Sequence, residues 1–375
     1  MKNFLLFMIF CLNYTAHAQE WEWAKRAGSG NTDHSRSIIT DANGNSYITG
    51  YFNSYTITFG STVLTNSNGL SYDFFIVKYD ASGNVVWAKS AEGSDYEGGF
   101  GISLDANGNC YVTGAFNSPT VAFGNTVLTN SGYDDFFIVK YDASGNVVWA
   151  KSAGSASMDL GSSISTDANG NSYVTGFFGG PVITFGNITL TNSTGNRHIF
   201  IVKYNAAGNV IWAKSTGGIS NSGDGDEGRG ISIDANGNSY ITGSYTSTTI
   251  AFGSTTLTNT GYADMFVVKY DASGNVLWAK STKGELSEWG SSISTDANGN
   301  SYVAGNFLST VLYVGNSTLT NEGWYDIFII KYDASGNELW AKRAGGTDSD
   351  YGYGITSDEN GNAYLIGNFN SPTIT

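Results

Sequence analysis

The chain has 375 residues and a formal net charge of −14 at pH 7, from 18 Lys and Arg against 32 Asp and Glu. Such an acidic surface repels nucleic acid and anionic membranes, so we expect no nucleic-acid partner. Aromatic residues make up 14% of the chain and charged residues only 13%, which excludes a disordered protein because there is ample apolar surface to bury.

The first predicted element is a secretory signal peptide at residues 1–18. Lys2 gives it a positive end, Phe4–Leu12 form its apolar core, and Ala16 and Ala18 supply a small-x-small cleavage site. The apolar run is too short to span a bilayer as a helix. We therefore expect an exported protein, secreted or at the cell surface, whose mature domain is 19–375.

Two motifs then recur with a period of about 63 residues, which indicates a repeat architecture. The first is Trp-Ala-Lys, which begins at Trp23, Trp87, Trp149, Trp212, Trp278 and Trp340. The second is Asp-Ala-Asn-Gly-Asn or a close variant, which begins at Asp41, Asp105, Asp167, Asp234, Asp296 and Asp358.

Each period predicts four strands, rich in β-branched and aromatic residues and bounded by Asx and Gly turns. In chain order they are strand a, as in Ser163–Asp167, strand b, as in Ser172–Phe178, strand c, as in Phe136–Asp142, and strand d, as in Asn146–Ser152. The Asp-x-x-Gly-Asn turns resemble calcium loops but lack the later carboxylate that such a loop needs, so we interpret them as hairpin joints.

Strand c is apolar on both faces, as in Phe74, Phe75, Ile76 and Val77. A four-stranded sheet buried on both sides by copies of itself predicts an all-β propeller of antiparallel blades rather than a β-solenoid. The stretches "GISLDANGNCYVTGAF" and "DDFFIVKYDASGNVVWAKSAG" resemble the SBBP-type β-propeller repeat of secreted bacterial proteins. The resemblance implies the fold and no shared catalytic motif. An added segment, Thr56–Asn66, predicts an extra small hairpin between strands b and c.

The repeats predict at least six blades, with the closing blade incomplete. Strand c occurs five times and the other strands six times, and the sequence stops in mid-repeat. We expect a C-terminally truncated chain in which the strand of Trp23 pairs with the last blade.

One end of the propeller is predicted to carry the uniform a–b and c–d turns, and the other the variable b–c and d–a loops. Variable loops on a rigid scaffold are where recognition usually resides. An acid stands eight residues before each marker Asp, and we expect these six carboxylates to ring the channel mouth: Asp33, Glu97, Asp159, Asp226, Glu288 and Asp350. They suit Ca²⁺ or a basic partner. The alternative is that each accepts backbone N–H bonds within its own loop.

Other side chains of this end are candidates for the same face. Arg36 and Arg229 lie three residues after ring acids and are expected to neutralise part of the ring. Tyr96, Trp289, Tyr351 and Trp324 could stack on sugar rings or fill gaps between blades.

Evidence for catalysis is thin, since the chain lacks a nucleophile triad, a phosphate loop and a His-rich metal spacing. Cys110, the one cysteine left after cleavage, is expected to be an inert core residue. We expect a non-enzymatic, monomeric binding scaffold within a larger exported protein, which takes a protein or carbohydrate at its variable acidic face. One alternative is a carbohydrate-active enzyme or binding module that uses the ring acids. A remote alternative is a quinoprotein-like dehydrogenase.

Overall fold

The computed structural model describes residues 22–66, 69, 71–91, 93–220, 225–358 and 360–375. Within these ranges the chain forms 32 strands and no helix, so the described part has no helix that could cross a membrane. The predicted signal peptide lies outside the described residues.

The first three repeats have the same succession of six strands. The first holds β1 (Asp33–Thr40), β2 (Ser46–Phe52), β3 (Thr56–Phe59), β4 (Thr62–Thr65), β5 (Asp73–Tyr79) and β6 (Val85–Ser90). The second holds β7 (Glu97–Leu104), β8 (Cys110–Phe116), β9 (Thr120–Phe123), β10 (Thr126–Thr129), β11 (Asp135–Tyr141) and β12 (Val147–Ala153). The third holds β13 (Asp159–Thr166), β14 (Ser172–Phe178), β15 (Val182–Phe185), β16 (Ile188–Thr191), β17 (His198–Tyr204) and β18 (Val210–Thr216).

The remaining repeats continue the pattern, and the last is shorter. The fourth holds β19 (Glu227–Ile233), β20 (Ser239–Tyr245), β21 (Thr249–Phe252), β22 (Thr255–Thr258), β23 (Asp264–Tyr270) and β24 (Val276–Ser281). The fifth holds β25 (Glu288–Thr295), β26 (Ser301–Phe307), β27 (Val311–Val314), β28 (Ser317–Thr320), β29 (Asp326–Tyr332) and β30 (Glu338–Ala344). The sixth has β31 (Asp350–Ser357) and β32 (Ala363–Phe369).

Each of the first five repeats folds as a four-stranded antiparallel sheet in the order a-b-c-d, and the extra segment of each pairs as a separate two-stranded hairpin. The predicted blades and extra hairpins are thereby confirmed, and the fold is a β-propeller. Strand b of the third repeat has the predicted bounds, Ser172–Phe178. Strand a begins four residues earlier than predicted, at the acid Asp159.

Neighbouring blades pack through buried apolar side chains. One continuous cluster joins Tyr47, Phe74 and Ile76 of the first blade to Val112 and Phe137 of the second. Strand a of each blade contacts strand a of the next, from β1 through β7, β13, β19 and β25 to β31. The six a strands therefore lie side by side as the innermost strands of the propeller.

A tryptophan clamp repeats at the uniform end of the blades. The indole N–H of Trp87, in strand d of the first blade, donates to the carbonyl oxygen of Ala143 in the c–d turn of the second (3.2 Å). Gly145 of that turn has φ 81°, and a Cβ there would lie 2.7 Å from the Trp87 ring. Glycine is therefore required at this position by both the backbone and the neighbouring ring.

The described chain forms an open series of blades. Ile38 in β1 is 63% exposed, whereas its counterparts Ile102, Ile164, Ile231 and Ile293 are 6% exposed because a neighbouring blade covers them. The predicted pairing of the Trp23 strand with the last blade is wrong: in the described part of the chain residues 22–32 form no strand, and β31 and β32 pair only with each other. Trp23 instead donates to Ala81 of the first blade (3.1 Å), the same clamp that joins consecutive blades.

Candidate functional site

A β-bulge interrupts the innermost strand of every blade at the same place. The register between strands a and b shifts around the third residue after the acid, as between Ser35 and Ser37 in the first blade. A bulge leaves one residue unpaired and re-aims its side chain. The six bulge residues are Arg36, Phe100, Ser162, Arg229, Ser291 and Tyr353.

All six bulge residues line one cavity of about 230 Å³ between the innermost strands, which we call the axial cavity. A second cavity of about 430 Å³ adjoins it and shares Arg36, Phe100, Ser162 and Arg229. It adds side chains from the loop end of the blades, namely Tyr96, Leu160, Phe177 and Glu227. The bulges thus place six side chains of different chemistry around one space that opens toward the variable loops.

Two of the bulge residues bring guanidinium groups to this space. The guanidinium of Arg36 lies over the rings of Tyr51 (5.4 Å) and Phe100 (5.7 Å). Arg229 Nη2 donates to Glu227 Oε2 (3.0 Å) and its guanidinium lies 5.9 Å from the Trp289 ring. Arg36 and Arg229 therefore stack on aromatic rings at the cavity. The prediction that they neutralise the ring acids is wrong.

Glu227 is shared between two arginines. Arg197 Nη1 donates to Glu227 Oε1, while its guanidinium lies 4.5 Å from the Phe177 ring. Arg36, by contrast, has no carboxylate within ion-pair distance among the residues that the structure describes. Arg36 and Arg229 line the axial cavity with no carboxylate among its described lining residues, and the larger cavity adds only that of Glu227. The walls of the two cavities therefore carry a local surplus of positive charge.

The predicted aromatic candidates lie at the same end of the molecule, in two clusters. Tyr96 lines the larger cavity and packs edge-on against Tyr51 and Tyr72. Trp289 and Tyr351 both pack on Tyr325, with ring centroids 5.0 and 5.4 Å away. Tyr351 continues the second cluster by stacking on the bulge residue Tyr353.

Trp324 lies outside both clusters and is 68% exposed.

The six predicted ring acids do not line the axial cavity, and the expectation that they converge is corrected. Glu97, Asp159, Asp226, Glu288 and Asp350 are 0% exposed, and Asp33 is half-buried. Successive side chains of a strand point to opposite faces, and the acid lies three residues before the bulge residue. The side chain of the acid therefore points into its own blade, whereas the bulge residue points to the axis.

Each acid accepts hydrogen bonds within its own blade. Asp226 accepts from the N–H groups of Gly218 (2.9 Å), Thr246 (3.0 Å) and Ser247 (3.1 Å), and from Ser247 Oγ (2.6 Å). A serine 21 residues after the acid is the hydroxyl donor in five blades: Ser54, Ser118, Ser247, Ser309 and Ser371. The six acids therefore accept hydrogen bonds from their own loops, which is the alternative given above to a shared cation.

Burial governs the protonation of most of these acids. It raises the pKa of Glu97 and of Glu288 to about 8 and that of Asp159 to about 7. It raises the pKa of Asp226 as well. At Asp350 the raising effect of burial is outweighed by hydrogen bonds from Ser371 and neighbouring N–H groups, so its pKa is lowered.

The first residue of strand c is also an acid in four of the blades, and these acids are not among the predicted site residues. Asp73, Asp135, Asp264 and Asp326 are buried there, and His198 takes this place in the third blade. The charge of Asp73 contributes to the raised pKa of Glu97 in the next blade, and Asp264 is within hydrogen-bonding reach of Glu288. Asp73 and Asp264 therefore lie close to an acid of the next blade, whereas Asp326 accepts from Arg343 Nη1 of its own blade (2.8 Å).

The acids do not fit a shared calcium ion. Within the described residues no three or more His, Cys, Asp or Glu side chains group so that they could hold a metal ion. The carboxylate oxygens of Asp226, for example, are already used by four hydrogen bonds. Cys110 is buried in the core as a free thiol, and burial raises its pKa well above the usual value.

Comparison with known proteins agrees with this architecture. The family model of the beta-propeller repeat, SBBP, matches residues 22–56 and 339–372. The chain contains SBBP repeats. The two matched segments cover the β1–β2 hairpin and the region around β31 and β32, so an SBBP repeat stands at each end of the described series of blades.

Two curated relatives resemble this chain over part of their length. The uncharacterized WD repeat-containing protein L264 of Acanthamoeba polyphaga mimivirus is 25% identical over 434 residues, which is 93% of this chain and 31% of that protein. The regulatory protein FlaEY of Caulobacter vibrioides is 29% identical over 110 residues, 28% of this chain and 12% of its own length. The chain thus spans less than a third of either relative.

Among solved structures, a DUF4221 family member from Bacteroides vulgatus covers 92% of this chain and 91% of its own, at 12% identity and a TM-score of 0.35.

Proposed function

We propose that this chain is an exported, non-catalytic β-propeller that binds its ligand at the axial cavity, on the end that carries the b–c and d–a loops. The observation that carries the proposal is the row of bulges. A framework of near-identical turns and strands presents six side chains at one space, and these side chains are a mixture of arginine, aromatic residues and serine. Rigid scaffolds with variable display positions are typical of binding proteins.

The position of the carboxylates argues against glycosidase chemistry. A glycosidase needs two carboxyl groups on either side of the scissile bond. Glu97 and Glu288, the acids with the most strongly raised pKa values, are 0% exposed and hold serine hydroxyls of their own blades. We therefore propose a binding role for the cavity and no metal or organic cofactor.

The proposed setting is a monomeric propeller within a larger secreted or cell-surface protein. The ligand is a protein or a carbohydrate, and the adjoining cavity of about 430 Å³ has the size of ordinary small-ligand sites. The uniform turns at the other end of the blades serve the framework, as the clamp between Trp87 and Ala143 illustrates.

The chain itself suggests the experiment, because two of its bulges already carry serine. Replacing Arg36, Phe100, Arg229 and Tyr353 together by Ser makes all six bulges alike. Residues 19–375 and this variant are applied to glycan and protein arrays. We expect similar thermal stability and the loss of every ligand captured by the unaltered chain. Unchanged capture by the variant would place the site elsewhere, and turnover of a captured glycan would contradict a non-catalytic role.

A further inference from the structure

We propose that the axial cavity binds a saccharide that carries a carboxylate, with Arg36 and Arg229 holding that carboxylate. This inference rests on the proposed function and specifies its ligand. It reverses the charge of the recognition groups that the sequence suggested, because arginines and not acids line the cavity.

Two guanidinium groups are exposed at one cavity. Arg36 and Arg229 are both exposed and both line the axial cavity and its neighbour. Arg36 is held by ring stacking, which leaves its N–H groups available, and Arg229 donates one hydrogen bond to Glu227. The planar guanidinium fork matches a carboxylate in a bidentate fashion.

The other bulge residues of the cavity wall are suited to a sugar ring. Phe100 and Tyr353 occupy the bulges of the second and sixth blades, and Tyr353 is 57% exposed. Flat aromatic faces suit the apolar face of a sugar ring. Ser162 and Ser291 occupy the bulges on either side of Arg229 along the series of blades, where their hydroxyls can bond to sugar hydroxyls.

The charge of the whole chain favours an acidic sugar over other anions. The net charge of −14 disfavours nucleic acid, acidic peptides and long polyanions, which would extend past the cavity onto acidic surface. A single acidic ring enters the cavity without that repulsion, and the larger cavity of about 430 Å³ accommodates a compact ligand. The ligand class is therefore a short saccharide with a carboxylate on the ring that enters the cavity.

Calorimetric titration of residues 19–375 with three probes tests the inference: digalacturonic acid, the uncharged galactobiose, and acetate. We expect digalacturonic acid to bind at least tenfold more tightly than either of the others. Arg36→Gln and Arg229→Gln should each reduce this preference at least fivefold. Lys283→Gln removes an equal charge from an exposed side chain outside the cavity and should leave the preference unchanged.

The outcomes separate this inference from the proposed function. Equal affinity for the charged and uncharged disaccharides, with loss of both in the all-serine bulge variant, would overturn the carboxylate and retain the cavity as the site. Acetate binding as tightly as digalacturonic acid would overturn the saccharide. Binding of none of the probes, or an equal effect of Lys283→Gln and the two arginine variants, would also overturn the inference.

Discussion

At the scale of single residues, the buried acids link the fold to pH. In the unfolded chain Glu97 and Glu288 titrate near 4.5, whereas in the folded chain they keep their protons to about pH 8. Unfolding therefore releases protons between these values, and the stability of the fold falls as pH rises through that window.

We predict that the melting temperature is several degrees lower at about pH 8.5 than at about pH 5.5. At the higher pH these carboxyls of Glu97 and Glu288 ionise freely in the unfolded chain, whereas burial disfavours their ionised form in the folded chain. Thermal unfolding followed by circular dichroism measures this. Glu97→Gln combined with Glu288→Gln imitates the protonated forms and should flatten the dependence. Glu285→Gln, an exposed acid of the same loop region, serves as the control, and a slope that stays the same in the double variant would contradict the assignment.

Cys110 allows a second test at this scale, because other copies of the repeat show what its substitutes do. The equivalent serines 172, 239 and 301 are buried with no hydrogen-bond partner for their hydroxyls, and Ala363 occupies the place in the last copy. We predict that Cys110→Ser lowers the free energy of unfolding by about 1 kcal/mol, since it buries an unsatisfied hydroxyl. Cys110→Ala should cost less, and chemical denaturation compares the two. A larger loss for alanine would mean that packing volume dominates.

The positions of the ring acids can be predicted from the sequence, but the directions of their side chains cannot. The acids were recognised by their spacing, but spacing alone does not reveal which way a side chain points at a bulge. Arg36 and Arg229 stand three residues after a ring acid in the sequence. This spacing identifies the bulge residues that face the axial cavity, and not residues that pair with the acids. The serine 21 residues after the acid was the available signal for capping, since it recurs in five of the repeats.

At the scale of strands and turns, the sequence predicted most of the structure. The four strands, the extra hairpin and the Asp-x-x-Gly-Asn joints follow from local patterns, and Asp142 of one joint accepts from the N–H of Asn146 (2.9 Å), as expected. The contact between a turn and the tryptophan of the preceding blade depends on how blades pack, and could not be predicted from one repeat.

The tryptophan clamp gives a prediction for Gly145. Gly145→Ala imposes φ 81° on an L-residue and pushes a Cβ against the Trp87 ring. Gly195→Ala is the matched control, since Gly195 has φ 77° and open space around it. We predict a loss of about 1 kcal/mol for Gly195→Ala from backbone strain and at least about 2 kcal/mol for Gly145→Ala. Equal losses in urea unfolding would show that the clamp contributes nothing.

At the scale of the whole molecule, blades confer both rigidity and a shared axis. The innermost strands meet in chain order, so one residue per blade reaches the same cavity. The propeller class was predictable from periodicity and two-sided burial of strand c. The pairing of the two ends was not, because the Trp23 segment is held by the turn of the first blade and forms no strand with the last.

The whole-molecule charge arrangement predicts no calcium requirement. The ring acids are apart from one another and hydrogen-bonded within their blades. A folded-state cation would raise the melting temperature with its concentration. We predict equal melting midpoints in Ca²⁺, Mg²⁺ and chelator at matched ionic strength. A melting temperature that rises with Ca²⁺, and no longer does so in Asp159→Asn plus Glu288→Gln, would contradict this prediction and show that these acids bind the cation.

The central claim is that bulge side chains face the axial cavity while the capping serines and their acids face into the blades. The most direct measurement is the rate at which single cysteines, introduced into a Cys110→Ala background, react with a small maleimide. Ser162→Cys and Ser291→Cys lie at bulges, and Ser118→Cys and Ser309→Cys lie at the buried caps. We predict rapid labelling of the first pair and at least tenfold slower labelling of the second in the folded protein. Faster labelling of the second pair would contradict it.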